Sequence, residues 1–443
     1  MVKLAKMFRH LRPFKALVLG DFMLDTYTTG RVKRISPEAP VPVMEVIHQE
    51  SRPGGAGNVV LNLTTLGAAV FAMGRIGNDR EGDELRRQLS RADTSCLFIE
   101  PHYKTPVKNR LIADSQQLIR VDFETIAPLS AELEEIFIER LKEFIPQVDV
   151  VALSDYGKGF LTNSLIRSAL QIANKAKIPS IVDPKGIDFS KYTGATILKP
   201  NLSEAYAAAK CPLNAPLNEV AGRLLSIADT LLITRSEAGI SIFNTQGEQT
   251  DFPVRSKEVK DVTGAGDTVL SMICLGIANG LDIQLAAQLA NIAAGLSIER
   301  LGCVQITLSE LAERLLEIDS DTKVFDESHT YALHQVLQGK KYSLLVLEKG
   351  QTMSNTLFRT IRKLSRQEGE ELIIYVRETE PDDEFIHLLS SLHEVDYIVL
   401  QTESLKNLCN AIHPHEVYLL EQDKLIGVDL AKDLLHSLIQ QLV

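Results

Sequence analysis

The segment Asp261–Thr268, which reads DVTGAGDT, carries the residues most suited to chemistry in this sequence. Gly264 and Gly266 permit backbone conformations that aim consecutive amides at one point, where an apolar helix is predicted to begin. Such amides bind anions, and Asp267 lies beside them. The pattern indicates phosphoryl transfer, with Asp267 as the base and the amides of Gly264, Ala265 and Gly266 on the moving phosphoryl group. The alternative is a glycine-rich helix entry in which Asp267 is only a cap.

Other phosphate-binding motifs are missing from the sequence. It has no G-x-x-x-x-G-K-[ST] P-loop, no G-x-G-x-x-G at either glycine-rich site and no H-R-D or D-F-G of a protein kinase. No histidine occurs between 103 and 328. We therefore expect carboxylate, lysine, arginine and backbone groups to perform the chemistry of this region.

Short apolar segments that end in polar residues alternate with helix-like segments over about the first 310 residues. This alternation predicts an α/β fold with a parallel sheet covered on both faces, which binds ligands beyond the carboxyl ends of its strands. The strand-end side chains are therefore site candidates, with helix capping as the alternative: Asp21, Asp155, Asp183, Asn201 and Arg235. The segments 26–50 and 105–123 predict a small additional sheet that serves as a lid or a dimer contact.

Composition limits the class of protein. The chain has 443 residues and a formal net charge of −11, which argues against nucleic acid as the main partner. Its five cysteines form no C-x-x-C pair and suit buried thiols in a reducing cytosol. The basic N-terminus is followed by an apolar run too short for a signal peptide, and no run is long enough for a membrane helix. We therefore expect a cytoplasmic protein without a membrane partner.

Two segments resemble the sequence signatures of the ribokinase (PfkB) family of sugar kinases, namely DVTGAGDT and RPGGAGNVVLNLTTLGA (52–68). Further segments resemble, in order, the kinase half of the bifunctional heptose kinase/ADP-heptose synthases of lipopolysaccharide synthesis. They include GDFMLDTYTTGRVKRISPEAPVPV (20–43), QQLIRVDFE (116–124), LSDYGKG (153–159) and LKPNLSE (198–204). The resemblance spans about 15–310 and implies a ribokinase-like three-layer sandwich with a small β lid.

The resemblance implies a role for each matching residue. Asp267 is the expected base, and Asn201 and Glu204 are expected to organise Mg²⁺ and the phosphates of ATP through water. The expected nucleotide-site residues are Thr234, Arg235 and Asn291. The expected sugar-binding residues are Asp21, Asp25, Gly54, Gly55 and Asn58, with Asp155 as a further substrate candidate.

A sugar 7-phosphate also requires a cation near the sugar. Sequence order offers Lys108, Arg110, Arg120, Lys158 and Lys185, with surface ion pairing as the alternative for each of them. Asp183 and Lys185 could equally form a structural pair.

The leading hypothesis is ATP-dependent phosphorylation of D-glycero-D-manno-heptose 7-phosphate at its anomeric hydroxyl, which gives heptose 1,7-bisphosphate. The alternatives are a kinase for another sugar or sugar phosphate and a non-catalytic scaffold that retains the fold. We expect a homodimer.

The expected domains are a kinase domain over 1–318, a helical linker over 319–340 and a smaller α/β domain over 341–443. The second domain of the bifunctional enzymes has an H-x-G-H motif after its first strand. No histidine occurs in the corresponding segment, 342–358. The sequence therefore predicts a degenerate nucleotidyltransferase-like domain without adenylyltransferase activity, and a separate heptose adenylyltransferase becomes a candidate partner.

Overall fold

The computed structural model describes residues 11–114, 116–254, 259–300, 302–319, 323–326, 330–337, 339–365, 370–378, 381–400, 405–421 and 424–428. They fall into two compact units, Arg12–Thr307 and a second unit that includes the described residues from Leu308 onward. Within these ranges, no helix is long and apolar enough to cross a membrane.

The first unit is built from alternating strands and helices. Its strands are β1 (Lys15–Gly20), β2 (Phe22–Ile35), β3 (Pro42–Gly55), β4 (Ala69–Gly77), β5 (Asp93–Glu100), β6 (Val107–Ala113), β7 (Gln116–Phe123), β8 (Val150–Ser154), β9 (Ser180–Asp183), β10 (Ala195–Leu198), β11 (Ala228–Thr234), β12 (Ile240–Phe243) and β13 (Gln249–Phe252). Its helices are α1 (Ala56–Thr65), α2 (Arg80–Gln88), α3 (Ala131–Phe144), α4 (Asn163–Ala176), α5 (Leu202–Ala209), α6 (Leu217–Leu224), α7 (Ala265–Ala278) and α8 (Ile283–Ile298).

Nine strands of this unit form one sheet in the order β13-β12-β11-β10-β9-β8-β1-β4-β5. The seven strands from β11 through β10, β9, β8, β1 and β4 to β5 pair in parallel. Strands β12 and β13 pair antiparallel at the other edge. Helices α3 to α6 share one apolar core with one face of the sheet, while α1 and α7 pack against β1 and β8. The predicted three-layer α/β sandwich is confirmed, and it brings the carboxyl ends of the parallel strands to one edge.

The lid is a separate four-stranded sheet in the order β3-β2-β6-β7. It contains both segments that the sequence singled out, and β2 follows β1 after one residue, so the lid is attached directly to the main sheet. Several of its large apolar side chains are exposed: Val46 at 57%, Ile47 at 62%, Ile119 at 55% and Phe123 at 58%. Val46 and Ile47 lie at a register shift in the pairing of β2 with β3, and Ile119 and Phe123 belong to β7, so exposed apolar groups occur on two strands of the lid.

The second unit is a smaller α/β fold. Its strands are β14 (Val324–Asp326), β15 (Lys341–Leu347), β16 (Glu370–Val376), β17 (Tyr397–Leu400), β18 (Glu416–Glu421) and β19 (Lys424–Val428), in the sheet order β14-β17-β16-β15-β18-β19. Its helices are α9 (Leu308–Asp319), α10 (Thr330–Leu337), α11 (Asn355–Leu364), α12 (Asp383–Ser391) and α13 (Leu405–Ile412). All pairs are parallel except β18 with β19.

The division between the units lies between Thr307 and Leu308, whereas the sequence placed the end of the first domain at 318. The segment expected to be a linker, 319–340, contains β14 and α10, and β14 pairs with β17 of the second unit. A strand of three residues has no periodicity to read in sequence, because its stability comes from the neighbouring strand with which it pairs.

Candidate active site

The start of α7 is shaped by Gly264. This residue has φ 81° and ψ −3°, a left-handed conformation that favours glycine. A Cβ atom at Gly264 would lie 2.9 Å from Nδ2 of Asn58 and 3.2 Å from Sγ of Cys303. Glycine is therefore required here both by backbone angle and by the close approach of two side chains.

The amides at this helix start are partly available for an anion. The amide of Ala265 donates to the carbonyl oxygen of Val262 at 3.3 Å, so this one of the three predicted donors has an internal acceptor. Within the described part of the chain, the amides of Gly264, Gly266 and Asp267 have no acceptor. They carry the positive end of the helix dipole and suit a phosphoryl group.

Asp267 is held at its predicted position by two donors. Its side chain is in the first turn of α7, and the residue is 3% exposed. Nδ2 of Asn58 donates to Oδ2 at 2.8 Å, and the hydroxyl of Tyr156 donates to Oδ1 at 2.8 Å. Burial raises the pKa of Asp267 to about 7; the negative charge of Asp183 adds to this, and both donors oppose it. A carboxylate with a pKa near neutrality suits a general base.

Asn58 reaches Asp267 because α1 packs against α7. Gly55, with φ 56°, turns the chain from β3 into α1 and places Asn58 in the first turn of that helix. The sequence assigned Asn58 to the sugar, but its amide nitrogen is bonded to the carboxylate and its Oδ1 lies 3.3 Å from Nε2 of Gln305. Its direct contact is with the expected base.

Asp21 differs from its predicted role in sugar binding, because its carboxylate is hydrogen-bonded to the loop that follows β8. It accepts the amides of Tyr156 at 2.9 Å, Lys158 at 3.0 Å and Phe160 at 3.3 Å. Only 2% of Asp21 is exposed, and burial raises its pKa while these amides lower it. It anchors the loop that carries Tyr156, whereas the sequence assigned it to the sugar hydroxyls.

Asp25 and Gly54 lie together on the lid side of the site. A Cβ atom at Gly54 would be 2.2 Å from Oδ2 of Asp25, so only glycine leaves room for this carboxylate. Oδ1 of Asp25 pairs with Nη1 of Arg110 at 2.6 Å. Sγ of Cys303 is 4.0 Å from Oδ2 of Asp25 and also adjoins the helix start at Gly264. Cys303 thus lies between the Asp25 carboxylate and the α7 terminus.

The predicted cations differ in their surroundings. Arg120 forms an exposed pair with Asp122 at 2.9 Å, and Lys158 pairs with Glu124 at 2.6 Å. In the described residues, Lys108 has no carboxylate within ion-pair distance. Its Nζ lies 5.2 Å from the ring centroid of Tyr156. Burial lowers the pKa of Lys108, the negative charge of Asp25 opposes this, and the positive charges of Lys158 and Arg120 lower it further. Lys108 is thus a partly desolvated cation beside the site, ready to receive an anion.

A cavity of about 570 Å³ lies beyond the strand ends next to the α7 terminus. Nine of the predicted residues line it: Asp155, Asp183, Lys185, Asn201, Glu204, Thr234, Ala265, Gly266 and Asn291. Arg235 was predicted to belong to the nucleotide site, but it does not line the cavity. Its guanidinium instead lies 3.2 Å from Oδ1 of Asp251 and 3.1 Å from the carbonyl oxygen of Ala238. The loop Ser236–Ala238 turns back on it and presents Ser236 and Glu237 to the cavity.

The N-x-x-E pair forms a capping box at the start of α5. Oδ1 of Asn201 accepts the amide of Glu204 at 2.9 Å, and Oε2 of Glu204 accepts the amide of Asn201 at 3.1 Å. Oε1 of Glu204 also pairs with Nζ of Lys185 at 2.7 Å. No cluster of three or more acidic, histidine or cysteine residues that could hold a metal occurs among the residues described. Both residues line the cavity, and oxygen donors of this kind suit a hydrated Mg²⁺ held through water.

Asp155 is tied to the loop after β9 rather than left open. Its Oδ2 accepts the hydroxyl of Tyr192 at 2.6 Å and pairs with Nζ of Lys191 at 2.8 Å. It lines the cavity, and its expected role in binding the sugar substrate stays a prediction.

Sequence reasoning missed two residues that the fold brings to the α7 terminus. Lys199 is 2% exposed and pairs with Oδ1 of Asp183 at 3.0 Å. Its Nζ would be 3.6 Å from a Cβ atom at Gly266, so a buried cation stands beside the amides. Tyr156 is the other. Both follow the carboxyl ends of strands, so the rule that selected Asp155 and Asn201 could have found them.

Comparisons with known proteins agree with this architecture. The model of the pfkB family of carbohydrate kinases matches residues 14–310. The bifunctional protein HldE of Trichlorobacter lovleyi is 45% identical over 326 residues, which are 72% of this chain and 66% of the relative. That of Pelobacter propionicus is 37% identical over 435 residues, or 92% of this chain and 88% of the relative.

Solved structures show the same fold at low sequence identity. A ribokinase of Arabidopsis thaliana, complexed with ribose and ATP, has a TM-score of 0.56 and 17% identity over 69% of this chain and 99% of its own. Phosphofructokinase-2 of Escherichia coli has a TM-score of 0.56 and 16% identity over 70% and 100%. With the family model covering more than half of the sequence and a ribokinase-like sheet beneath the site, the chain belongs to the pfkB family of carbohydrate kinases.

Proposed function

We propose that this kinase transfers the γ-phosphoryl group of ATP to the anomeric hydroxyl of D-glycero-D-manno-heptose 7-phosphate and forms heptose 1,7-bisphosphate. The observation that carries the proposal is the position of Asp267. This carboxylate is buried, is held by two donors, and adjoins the amides of Gly264 and Gly266. The relatives named HldE and the segments that resemble heptose kinases support the choice of sugar.

The reaction brings the nucleotide and the sugar together at the α7 terminus. ATP occupies the cavity of about 570 Å³, and the sugar lies against Asp25 and Gly54. Asp267 accepts the proton of the anomeric hydroxyl as its oxygen forms a bond to the γ-phosphorus, and the bond from that phosphorus to the β–γ bridging oxygen breaks to release ADP. The amides of Gly264 and Gly266 stabilise the charge on the transferred group.

Two further groups complete the charge balance on the nucleotide side. Asn201 and Glu204 at the cavity wall would hold Mg²⁺ through water, and the ion would neutralise part of the phosphate charge. The ammonium group of Lys199, buried next to Gly266, adds a positive charge where the phosphoryl group passes.

Lys108 is the proposed ligand of the 7-phosphate. The other cations near the sugar pocket have carboxylate partners: Arg110 pairs with Asp25 and Lys158 pairs with Glu124. A dianionic phosphate next to Lys108 would restore the charge balance that burial of the ammonium disturbs. Lysine donates to phosphate as a point charge and needs no bidentate geometry.

The second unit is proposed to lack adenylyltransferase activity, even though its relatives are named bifunctional. In its sheet, β16 and β18 lie on opposite sides of β15, which makes the loop after β15 the place for a phosphate site. That loop, residues 348–354, reads EKGQTMS and has no histidine. Pyrophosphate release from ATP and heptose 1-phosphate tests this, because sustained release would show that the unit is active. If the second unit is inactive, the adenylyl transfer requires another enzyme, and a separate heptose adenylyltransferase is the proposed partner.

A homodimer through the lid is the proposed assembly. Exposed Val46, Ile47, Ile119 and Phe123 give the lid apolar surface, which a second copy would cover. Light scattering coupled to size exclusion tests this with the double substitution Ile47→Glu and Ile119→Glu. A dimeric wild type and a monomeric variant are expected, and a monomeric wild type would contradict the proposal.

Release of ADP that depends on the sugar tests the proposed function. Heptose 7-phosphate is compared with ribose, fructose 6-phosphate and adenosine at equal concentrations. We expect the largest kcat/KM for the heptose phosphate. A larger value for another acceptor would identify a different sugar kinase, and no turnover with any acceptor would favour a scaffold that has kept only the fold.

A further inference from the structure

Tyr156 is a buried phenol in direct contact with the proposed base. Its hydroxyl donates to Oδ1 of Asp267 at 2.8 Å, while Asn58 donates to the other carboxylate oxygen at 2.8 Å. Two donors on two different oxygens fix the plane of the carboxylate, which a single donor would leave free to rotate. The helix start and this loop together therefore determine where the basic lone pairs point.

The Asp21 carboxylate and the turn at Gly55 fix the position of the Tyr156 ring. The amide of Tyr156 is bonded to Oδ2 of Asp21 at 2.9 Å, and that same buried carboxylate binds two further loop amides. Cδ2 of the Tyr156 ring would be 3.4 Å from a Cβ atom at Gly55, so the turn into α1 limits the ring on one side. The ammonium of Lys108 lies 5.2 Å from the ring centroid.

We propose that Tyr156 is a positioning residue of the kinase: its hydroxyl aligns Asp267 towards the acceptor hydroxyl and stabilises the unprotonated form of that carboxylate. The inference rests on the proposed role of Asp267 as the base. It also gives Asp21 a purpose, because the chain from Asp21 through the loop amide to the phenol sets the orientation of the reacting group.

The charges that face Asp267 come from several elements. Asp183 at the end of β9 raises its pKa, and Lys199 after β10 lowers it, as do the hydrogen bonds from Asn58 and Tyr156. Cys303 also faces the carboxylate, and the pKa of its thiol is raised mainly by burial, so it is neutral at pH 7. The ammonium of Lys108 lies 5.2 Å from the centroid of the Tyr156 ring. A variant that removes only the Tyr156 hydroxyl leaves all of these groups in place.

The test is Tyr156→Phe in the full chain, with kcat and KM measured from pH 5.5 to 9.5. A hydrogen bond to a charged group contributes enough that its loss moves the acid limb of kcat to higher pH by about one to two units. At pH 6.5 this lowers kcat by about ten- to a hundredfold, whereas near pH 9 most of the activity returns. The KM for ATP stays within about twofold of the wild-type value.

A second variant and a matched control separate positioning from packing. In 3-fluorotyrosine at position 156 the phenol is a stronger donor, and the acid limb moves to lower pH. Tyr192→Phe removes another buried phenol, one that donates to Asp155 at 2.6 Å, and the acid limb stays where it is in the wild type.

Each outcome decides the question. An acid limb at the wild-type pH in both Tyr156 variants, or an equal loss of kcat at every pH, would overturn the proposal and leave Tyr156 a packing role. Asp267→Asn distinguishes failure of the proposed function. Full activity of Asp267→Asn would refute the role of Asp267 as the base. An inactive Asp267→Asn, together with a wild-type acid limb in Tyr156→Phe, would refute only the positioning role of Tyr156.

Discussion

Replacing Asp267 with asparagine separates catalysis from stability in this fold. The amide keeps the size of the carboxyl group and can still accept from Asn58 on its oxygen, while its NH₂ group faces the hydroxyl oxygen of Tyr156, which can accept. Loss of a general base lowers the rate by about 10²- to 10⁴-fold, or about 3 to 5 kcal/mol of barrier. We expect kcat to fall by that factor while ATP still binds.

The same substitution should stabilise the folded protein at alkaline pH. Burial raises the pKa of Asp267 from 3.8 to about 7, so the folded state binds a proton more tightly than the unfolded chain. The cost of the buried charge therefore grows as the pH rises from 3.8 to 7 and is constant above that, at about 4 kcal/mol. Asparagine mimics the protonated side chain and avoids this cost.

The assay combines turnover with thermal unfolding. At pH 8 the melting temperature of Asp267→Asn should exceed that of the wild type, and the difference should shrink as the pH is lowered to 5. Asp282→Asn is the matched control, because Asp282 is an exposed helix cap whose bond to the amide of Leu285 asparagine can also make. A kcat within tenfold of the wild type, or a lower melting temperature at pH 8, would refute the reasoning.

Three further predictions concern pH and the sugar pocket. Because the raised pKa of the proposed base is about 7, kcat/KM should fall about tenfold per pH unit below it, and a flat profile in ADP release from pH 5.5 to 9 would contradict the assignment. Gly54→Ala places a Cβ atom 2.2 Å from the Asp25 carboxylate and should raise KM for the sugar at least tenfold, with ATP binding intact. Gly222→Ala is the control, because nothing lies within 4 Å of its added Cβ atom, and it should leave KM for the sugar and KM for ATP unchanged. Lys108→Met should raise KM for the sugar phosphate by about ten- to a hundredfold through loss of a charge-assisted bond, whereas Arg120→Met, which breaks an exposed pair, should change it less than threefold; equal effects of the two would remove Lys108 as the phosphate ligand.

The glycines of the α7 entry and the alternation of strands and helices determined much of the fold and part of the site. A helix N-terminus binds anions through its own backbone, so D-V-T-G-A-G-D indicated the phosphoryl site without knowledge of distant contacts. The alternation of strands and helices placed Asp183 and Asn201 at the strand ends, and both line the cavity. These features are local, because a few consecutive residues fix them.

The tertiary structure alone decided which side chains remain open to a ligand. Asp21 and Arg235 have the residue types that suit a site, yet one is bonded to loop amides and the other interacts with Asp251 and its own loop. Tyr156 and Lys199 were overlooked because their partners, Asp267 and Asp183, are distant in sequence. Burial and pairing depend on contacts between distant segments, and it is these contacts that raise the pKa of one aspartate to about 7 and turn an ordinary carboxylate into a base.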